Sequence, residues 1–156
     1  MPLKLPAEIK TAIDGALADR APIMAAANDA HDQPFMSLRG SVHVHDDGPD
    51  ADDRIGIWLR NVDGTTATGV KHNPKISLFY RNTETRLSFQ IQGRARLVDD
   101  GALKNRIYEE SAEPERNADP ERKGGAMLVE IDRMIQRNRV VLARDPSEIT
   151  PVPAPG

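Results

Sequence analysis

Hydrophobic and polar residues alternate in short runs along most of the chain, and a helical period appears in only a few places. The first is residues 6–19, PAEIKTAIDGALAD, where Ile9, Ile13 and Leu17 recur on one face. Pro6 suits a first helical turn and Glu8 suits its positive end, while Gly15 weakens the pattern. The narrow apolar stripe predicts a helix lying on the outside of something else. Residues 21–29 (APIMAAAND) and 34–48 (PFMSLRGSVHVHDDG) are two apolar runs joined by a short polar link, which predicts a hairpin. In the second run Met36, Leu38, Val42 and Val44 share one face. Phe35, Ser37, Arg39, Ser41, His43 and His45 share the other, with Gly40 marking a bulge or a close backbone approach. The acidic, turn-rich residues 46–54 predict a solvated loop.

The same alternation places Ile55, Ile57 and Leu59 opposite Gly56, Trp58 and Arg60. A polar Thr- and Gly-rich crossover follows at 63–74, with a short helical turn at Val70-Lys71 that ends before Asn73-Pro74. Ile76, Leu78 and Tyr80 then alternate with Ser77, Phe79 and Arg81. The clearest strand has Leu87, Phe89, Ile91, Ala95 and Leu97 on one face. Ser88, Gln90, Gln92, Arg94 and Arg96 lie on the other, and Gly93 bends it. Asp99-Asp100 caps a helix whose stripe is Leu103 and Ile107. Residues 111–125 are charged and proline-broken, predicting an exposed loop or short helical turns; 126–132 and 137–144 are the last strands. Six or seven strands at short, hairpin-like spacing, with peripheral helices, predict a mainly β, small antiparallel barrel. The domain spans 1–145, and the Pro-rich residues 146–156 form an extended, mobile tail.

Composition narrows the function classes. At 156 residues and 17.2 kDa one domain is expected, large enough for a real core. A net charge of −3 without a Lys/Arg-dense block argues against sequence-independent nucleic-acid binding. No apolar run is long enough to span a bilayer, and no secretory leader is visible. The absence of cysteine excludes disulfides, thiolate catalysis and Cys-based metal sites, and fits a cytoplasmic location.

Several residue groups carry candidate chemistry. Thr65, Thr66 and Thr68, with Gly64 and Gly69, offer hydroxyls and approachable backbone N–H groups to a phosphate, or else cap their own turn. Arg39, Arg60, Lys71 and Arg94 are candidate phosphate partners or surface charges. Trp58 is suited to stacking on a planar ring or to packing; Gln90 and Gln92 to binding a heterocycle or water. His43-x-His45 puts two imidazoles on one strand face without an obvious third ligand, although His31 and His72 exist, so no metal site is assigned. No Ser/His/Asp arrangement has recognisable spacing, and no catalytic residue is assigned.

The order of these pieces resembles the pyridoxamine 5′-phosphate oxidase-like family of FMN-binding split barrels. The residues that carry the likeness are Trp58-Leu59-Arg60, Asn73-Pro74-Lys75-Ile76-Ser77-Leu78 and Gln92-Gly93-Arg94-Ala95-Arg96-Leu97-Val98-Asp99, and it covers residues 6–142. The resemblance implies a six-stranded split barrel that forms a homodimer, with FMN in the grooves between subunits. It implies that Ser37, Leu38, Arg39, Trp58, Leu59, Arg60 and Asn61 line the isoalloxazine ring. Thr65 and Thr66 would approach the phosphate, and Gln90 or Gln92 would come from the neighbouring sheet. One departure stands out. Register from Asn73-Pro74 puts Ala67 where many members carry Lys or Arg, and Lys71 lies four residues later. Arg39 or Arg60 would have to compensate. The implied function is an FMN-dependent oxidoreductase acting on a small molecule. The alternatives are a non-enzymatic module of the same fold that binds flavin, deazaflavin or haem, and a barrel without a cofactor.

Overall fold

The computed structural model describes residues 1–155. Alternating burial sets the strands. In β1 (Ile23–Asn28) the residues Ile23, Ala25 and Ala27 point inward, and in β5 (Lys75–Arg81) Ile76, Leu78 and Tyr80 do the same. The others are β2 (Pro34–Arg39), β3 (His43–His45), β4 (Arg54–Leu59), β6 (Ser88–Leu97), β7 (Gly125–Gln136) and β8 (Arg139–Ala143). The order is β2-β1-β5-β6-β7-β4-β3, with β8 on β7, and every pairing is antiparallel. The expected mainly β split barrel is therefore the observed fold.

Three features differ from the sequence reading. The run at 34–48 is two strands rather than one, because the chain leaves β1 at Gly40 and re-enters the sheet beside β4. That split makes eight strands where six or seven were expected. In β2 the apolar residues face outward, with Met36 68% and Leu38 63% exposed, while Phe35, Ser37 and Arg39 are half-buried. Finally, the crossover is a full helix, α2 (Thr65–His72), where only a turn was expected; it ends at extended Asn73 before Pro74.

Other expectations hold. Helix α1 is Ala7–Gly15, buried through Ile9, Ala12 and Ile13. Helix α3 (Gly101–Glu110) starts at Asp100, whose side chain accepts from the N–H of Ala102. It is followed by the short α4 (Glu113–Ala118). The β6–β7 register shifts between Gln92 and Gly93, the bend anticipated there. Arg137 and Asn138 both adopt positive φ and close the β7–β8 hairpin. Within residues 146–156, expected as an extended tail, Pro146–Glu148 instead form a 3-10 turn, and Thr150 donates its N–H to the Val140 carbonyl (3.0 Å) and accepts the Val140 N–H at Oγ1 (2.9 Å).

Two apolar clusters share β4. Ile55, Ile57 and Leu59 enter the barrel core with Ala67, Val70, Ile91 and Met127. Trp58 faces the other way, into a smaller cluster with Ile107, Tyr108 and Leu128 beneath α3. The strand that leads to Arg60 and Asn61 is thus buried on both faces, which makes it a rigid support.

Candidate functional site

A cleft of about 350 Å³ opens between the end of β2, the end of β4, the start of α2 and α4. Its polar floor follows from strand periodicity. Ser37 and Arg39 are two residues apart on the half-buried face of β2, so their side chains stand side by side. Arg39 Nε donates to Ser37 Oγ at 3.1 Å, and Arg39 Nη2 donates to Thr66 Oγ1. Thr66 reaches that point because α2 packs tightly on β1. The Gly69 Cα lies against the Asn28 carbonyl, where a Cβ would collide with it. Arg60 and Asn61, just past β4, and Phe35 complete the walls.

The electrostatics favour an anion. Among the described residues no carboxylate lies within ion-pairing distance of Arg39. Burial and the neighbouring Arg60 lower the pKa of its guanidinium, and Glu115 opposes that shift. A half-buried cation in this position gains from any ligand that brings negative charge.

The candidate residues separate into groups. Ser37, Leu38, Arg39, Arg60, Asn61, Thr65 and Thr66 come together at the cleft, with the Leu38 side chain largely in solvent. Trp58 also borders the cleft, but its ring is committed to packing. It is 2% exposed, edge-on to Tyr108 at 5.0 Å, and its Nε1 donates to Asp119 Oδ2 at 2.9 Å. Leu59 is buried in the barrel core. Lys71 is exposed on α2 and does not line the cleft. Gln90 and Gln92 lie on the outward face of β6, opposite Phe79 and Ser77. Gln92 accepts from Arg133 Nε at 2.6 Å and borders a second, larger cavity with Lys75, Arg94 and Arg133.

Ala67 corrects the register argument. It is fully buried on the inner face of α2, in the barrel core. A cation at 67 would point into hydrocarbon rather than toward Thr66, so alanine there leaves no gap in the cleft.

Two residues that shape the cleft were invisible in the sequence. Glu115, from a segment read as solvated, projects into the cleft with a 16% exposed side chain. Asp119 holds Trp58 and accepts the N–H groups of Lys123 (2.9 Å) and Gly124 (2.8 Å). Burial alone would push the Asp119 carboxyl up, but these hydrogen bonds outweigh it and hold it below the usual carboxylate range. Neither residue has a local motif, since only the tertiary fold brings α4 over β4.

The histidines form a separate cluster. His43 Nδ1 donates to the Ser41 carbonyl at 2.9 Å, and its Nε2 lies 3.4 Å from Glu110 Oε2. His45 sits between Glu110 (3.2 Å) and Asp47 (3.3 Å), while His72 pairs with Asp32 on the surface (2.9 Å). Arg94 of the candidate cations pairs with Asp132 (3.0 Å), away from the cleft. No group of three His, Asp or Glu side chains with metal-holding geometry occurs among the described residues.

Comparison with known proteins places the fold. A family model of pyridoxamine 5′-phosphate oxidase matches residues 9–151, nearly the whole chain. No curated protein sequence matches significantly. Among solved structures, HupZ of Group A Streptococcus superposes with a TM-score of 0.64 at 21% identity, over 90% of this chain and 99% of that one. A pyridoxamine 5′-phosphate oxidase-related, FMN-binding protein of Nostoc punctiforme gives 0.61 at 10% identity, over 85% and 84%. A similar protein of Lactobacillus delbrueckii, named a pyridoxamine 5′-phosphate oxidase, gives 0.60 at 14% identity, over 85% and 94%. At such identities these structures speak for the fold alone.

Proposed function

We propose that this chain, which belongs to the pyridoxamine 5′-phosphate oxidase family, binds FMN in the Arg39–Thr66 cleft and acts as a flavin-dependent oxidoreductase on a small molecule. The observation that carries the reading is Arg39. It is half-buried, oriented by Ser37 and Thr66, and has no carboxylate in ion-pairing contact. That donor set fits a phosphate: a guanidinium and hydroxyls converge, and the first turn of α2, with its N–H groups, lies beside them. Arg39, with Arg60 nearby, supplies the positive charge that the crossover itself does not. Phe35 and the backbone that leads to Asn61 offer the less polar wall that a planar ring needs.

When bound, FMN would supply the hydride chemistry. The chain's own residues would anchor the phosphate, orient the ring and shape the substrate space. Buried β4, fixed through Trp58 and Asp119, gives that arrangement a rigid back wall.

We further propose that the cleft is completed by a second copy of the chain. Leu38 and Phe79 both flank Met24 across the sheet, and Leu38 (63%) and Phe79 (43%) are exposed. Gln90 lies opposite Phe79 on the same outward face. An exposed apolar patch continuous with a cofactor cleft is the surface a symmetric partner would cover. Such pairing would bring Gln90 or Gln92 toward the partner's cofactor.

The test is the visible spectrum of the purified protein with FMN, a deazaflavin and haem added in turn, followed by NADH or NADPH. The reading predicts a perturbed flavin spectrum with FMN and bleaching by a nicotinamide donor. FMN binding without reduction by either donor would favour a non-enzymatic module. Preference for deazaflavin or haem would replace FMN, and binding of none would overturn the reading.

A further inference from the structure

Glu115 occupies the cleft in a way that simple packing does not require. It projects from α4 with a mostly covered side chain, yet its carboxylate makes no hydrogen bond within 3.5 Å among the described residues. Its nearest cation is Arg60, with Oε2 4.0 Å from Nε, and its charge also acts on Arg39. It lies over Gly40, where a Cβ would collide with the carboxylate, so the missing side chain at 40 is what leaves room for it. The helix that carries it is fixed. Tyr108 Oη donates to the Arg116 carbonyl at 2.9 Å, and Asp119 at the end of α4 holds Trp58 at 2.9 Å. With the helix fixed, only rotation about its own side-chain bonds can take the carboxylate out of the cleft.

We propose that Glu115 is the internal counter-ion of the Arg39–Arg60 pair and a competitor for the anion site, so that a phosphate-bearing ligand binds only as the Glu115 carboxylate swings out. The proposal rests on the reading of this cleft as a phosphate site. Its logic is charge balance. Two cations share one cleft, and a single carboxylate at long range offsets them without the close contacts that would lock it in place. A ligand dianion brings more charge and more acceptor oxygens than the carboxylate and displaces it. A neutral ligand brings neither. Glu115 thus weakens the hold of the two arginines on a doubly charged ligand while leaving a neutral ligand of similar shape unaffected.

The experiment is a set of calorimetric titrations of inorganic phosphate, FMN and riboflavin into the full chain, Glu115→Gln, Gly40→Ala and Glu113→Gln. Glu115→Gln keeps the side-chain shape and removes the charge. Gly40→Ala displaces the carboxylate sterically and serves as the second route should Glu115→Gln fail to fold. Glu113 is exposed on the same helix and controls for net charge. The expected result is phosphate and FMN binding about three- to tenfold tighter in Glu115→Gln, the scale of a partly screened charge pair. The gain should shrink in high salt. Gly40→Ala should shift phosphate in the same direction, while riboflavin and Glu113→Gln stay unchanged. Equal phosphate affinity in the parent chain and Glu115→Gln, or an equal gain for riboflavin, would overturn the proposal. If no protein binds FMN while Glu115→Gln still gains phosphate, the flavin reading fails and the counter-ion role stands.

Discussion

Arg39 concentrates the chemistry of the cleft in one side chain. Its charge is partly desolvated and lies near Arg60, so it contributes little to the stability of the empty protein and much to an anionic ligand. Arg39→Ala should therefore weaken FMN about ten- to a hundredfold, the effect of losing a charge-assisted contact worth about 1.5–3 kcal/mol. Thermal unfolding of the ligand-free variant should show no loss of stability, and a large fall would mean that Arg39 is a structural residue. His43 makes a different residue-scale prediction. Burial pushes its imidazole below the ordinary histidine value, while Glu110 and Asp14 pull it up and His45 pushes it down. With a lowered native pKa, the unfolded chain takes up a proton that the folded one refuses. Stability is then fully present above about pH 6.5 and is lost as pH falls below it. Urea midpoints measured between pH 7.5 and 5.5 should drop in the parent chain and drop less in His43→Asn; equal slopes would contradict this.

Elements position these residues, and helix α2 is the one the sequence conceals most. Its eight residues, TTATGVKH, have weak propensity and read as a polar crossover. What makes them helical is packing: Ala67 and Val70 enter the barrel core, Thr66 is buried against Arg39, and Gly69 lets the helix touch the β1 carbonyl at Asn28. Gly69→Ala should cost about 1–3 kcal/mol, because the obstructing atom is backbone and cannot rotate away. Denaturant unfolding would check it, and an unchanged midpoint would mean that α2 can lift off β1. Strands with one buried face, such as β5 and β6, were legible because alternation reports burial directly. The outward apolar face of β2 was not, since alternation gives the period of a strand but not which side meets the core. The charge at the cleft was half legible: Arg39 and Thr66 stand in the sequence, but the burial of Ala67 and the arrival of Glu115 are tertiary facts.

At the scale of the whole molecule, one chain offers an open cleft beside an exposed apolar patch. Leu38, Met36 and Phe79 on that patch predict a homodimer. Light scattering should give twice 17.2 kDa, and Phe79→Glu should halve the mass while weakening FMN binding. A monomeric parent chain would leave Gln90 and Gln92 without a role at the cleft. The central claim, that this fold holds a phosphate-bearing flavin at Arg39 and Thr66, is tested most directly by fluorescence titration of FMN against riboflavin, which differ only in the phosphate. The account predicts saturable binding of FMN, at least tenfold tighter than riboflavin, with that preference abolished in Arg39→Ala. Equal affinity for the two flavins, or an FMN preference that survives the loss of Arg39, would contradict it.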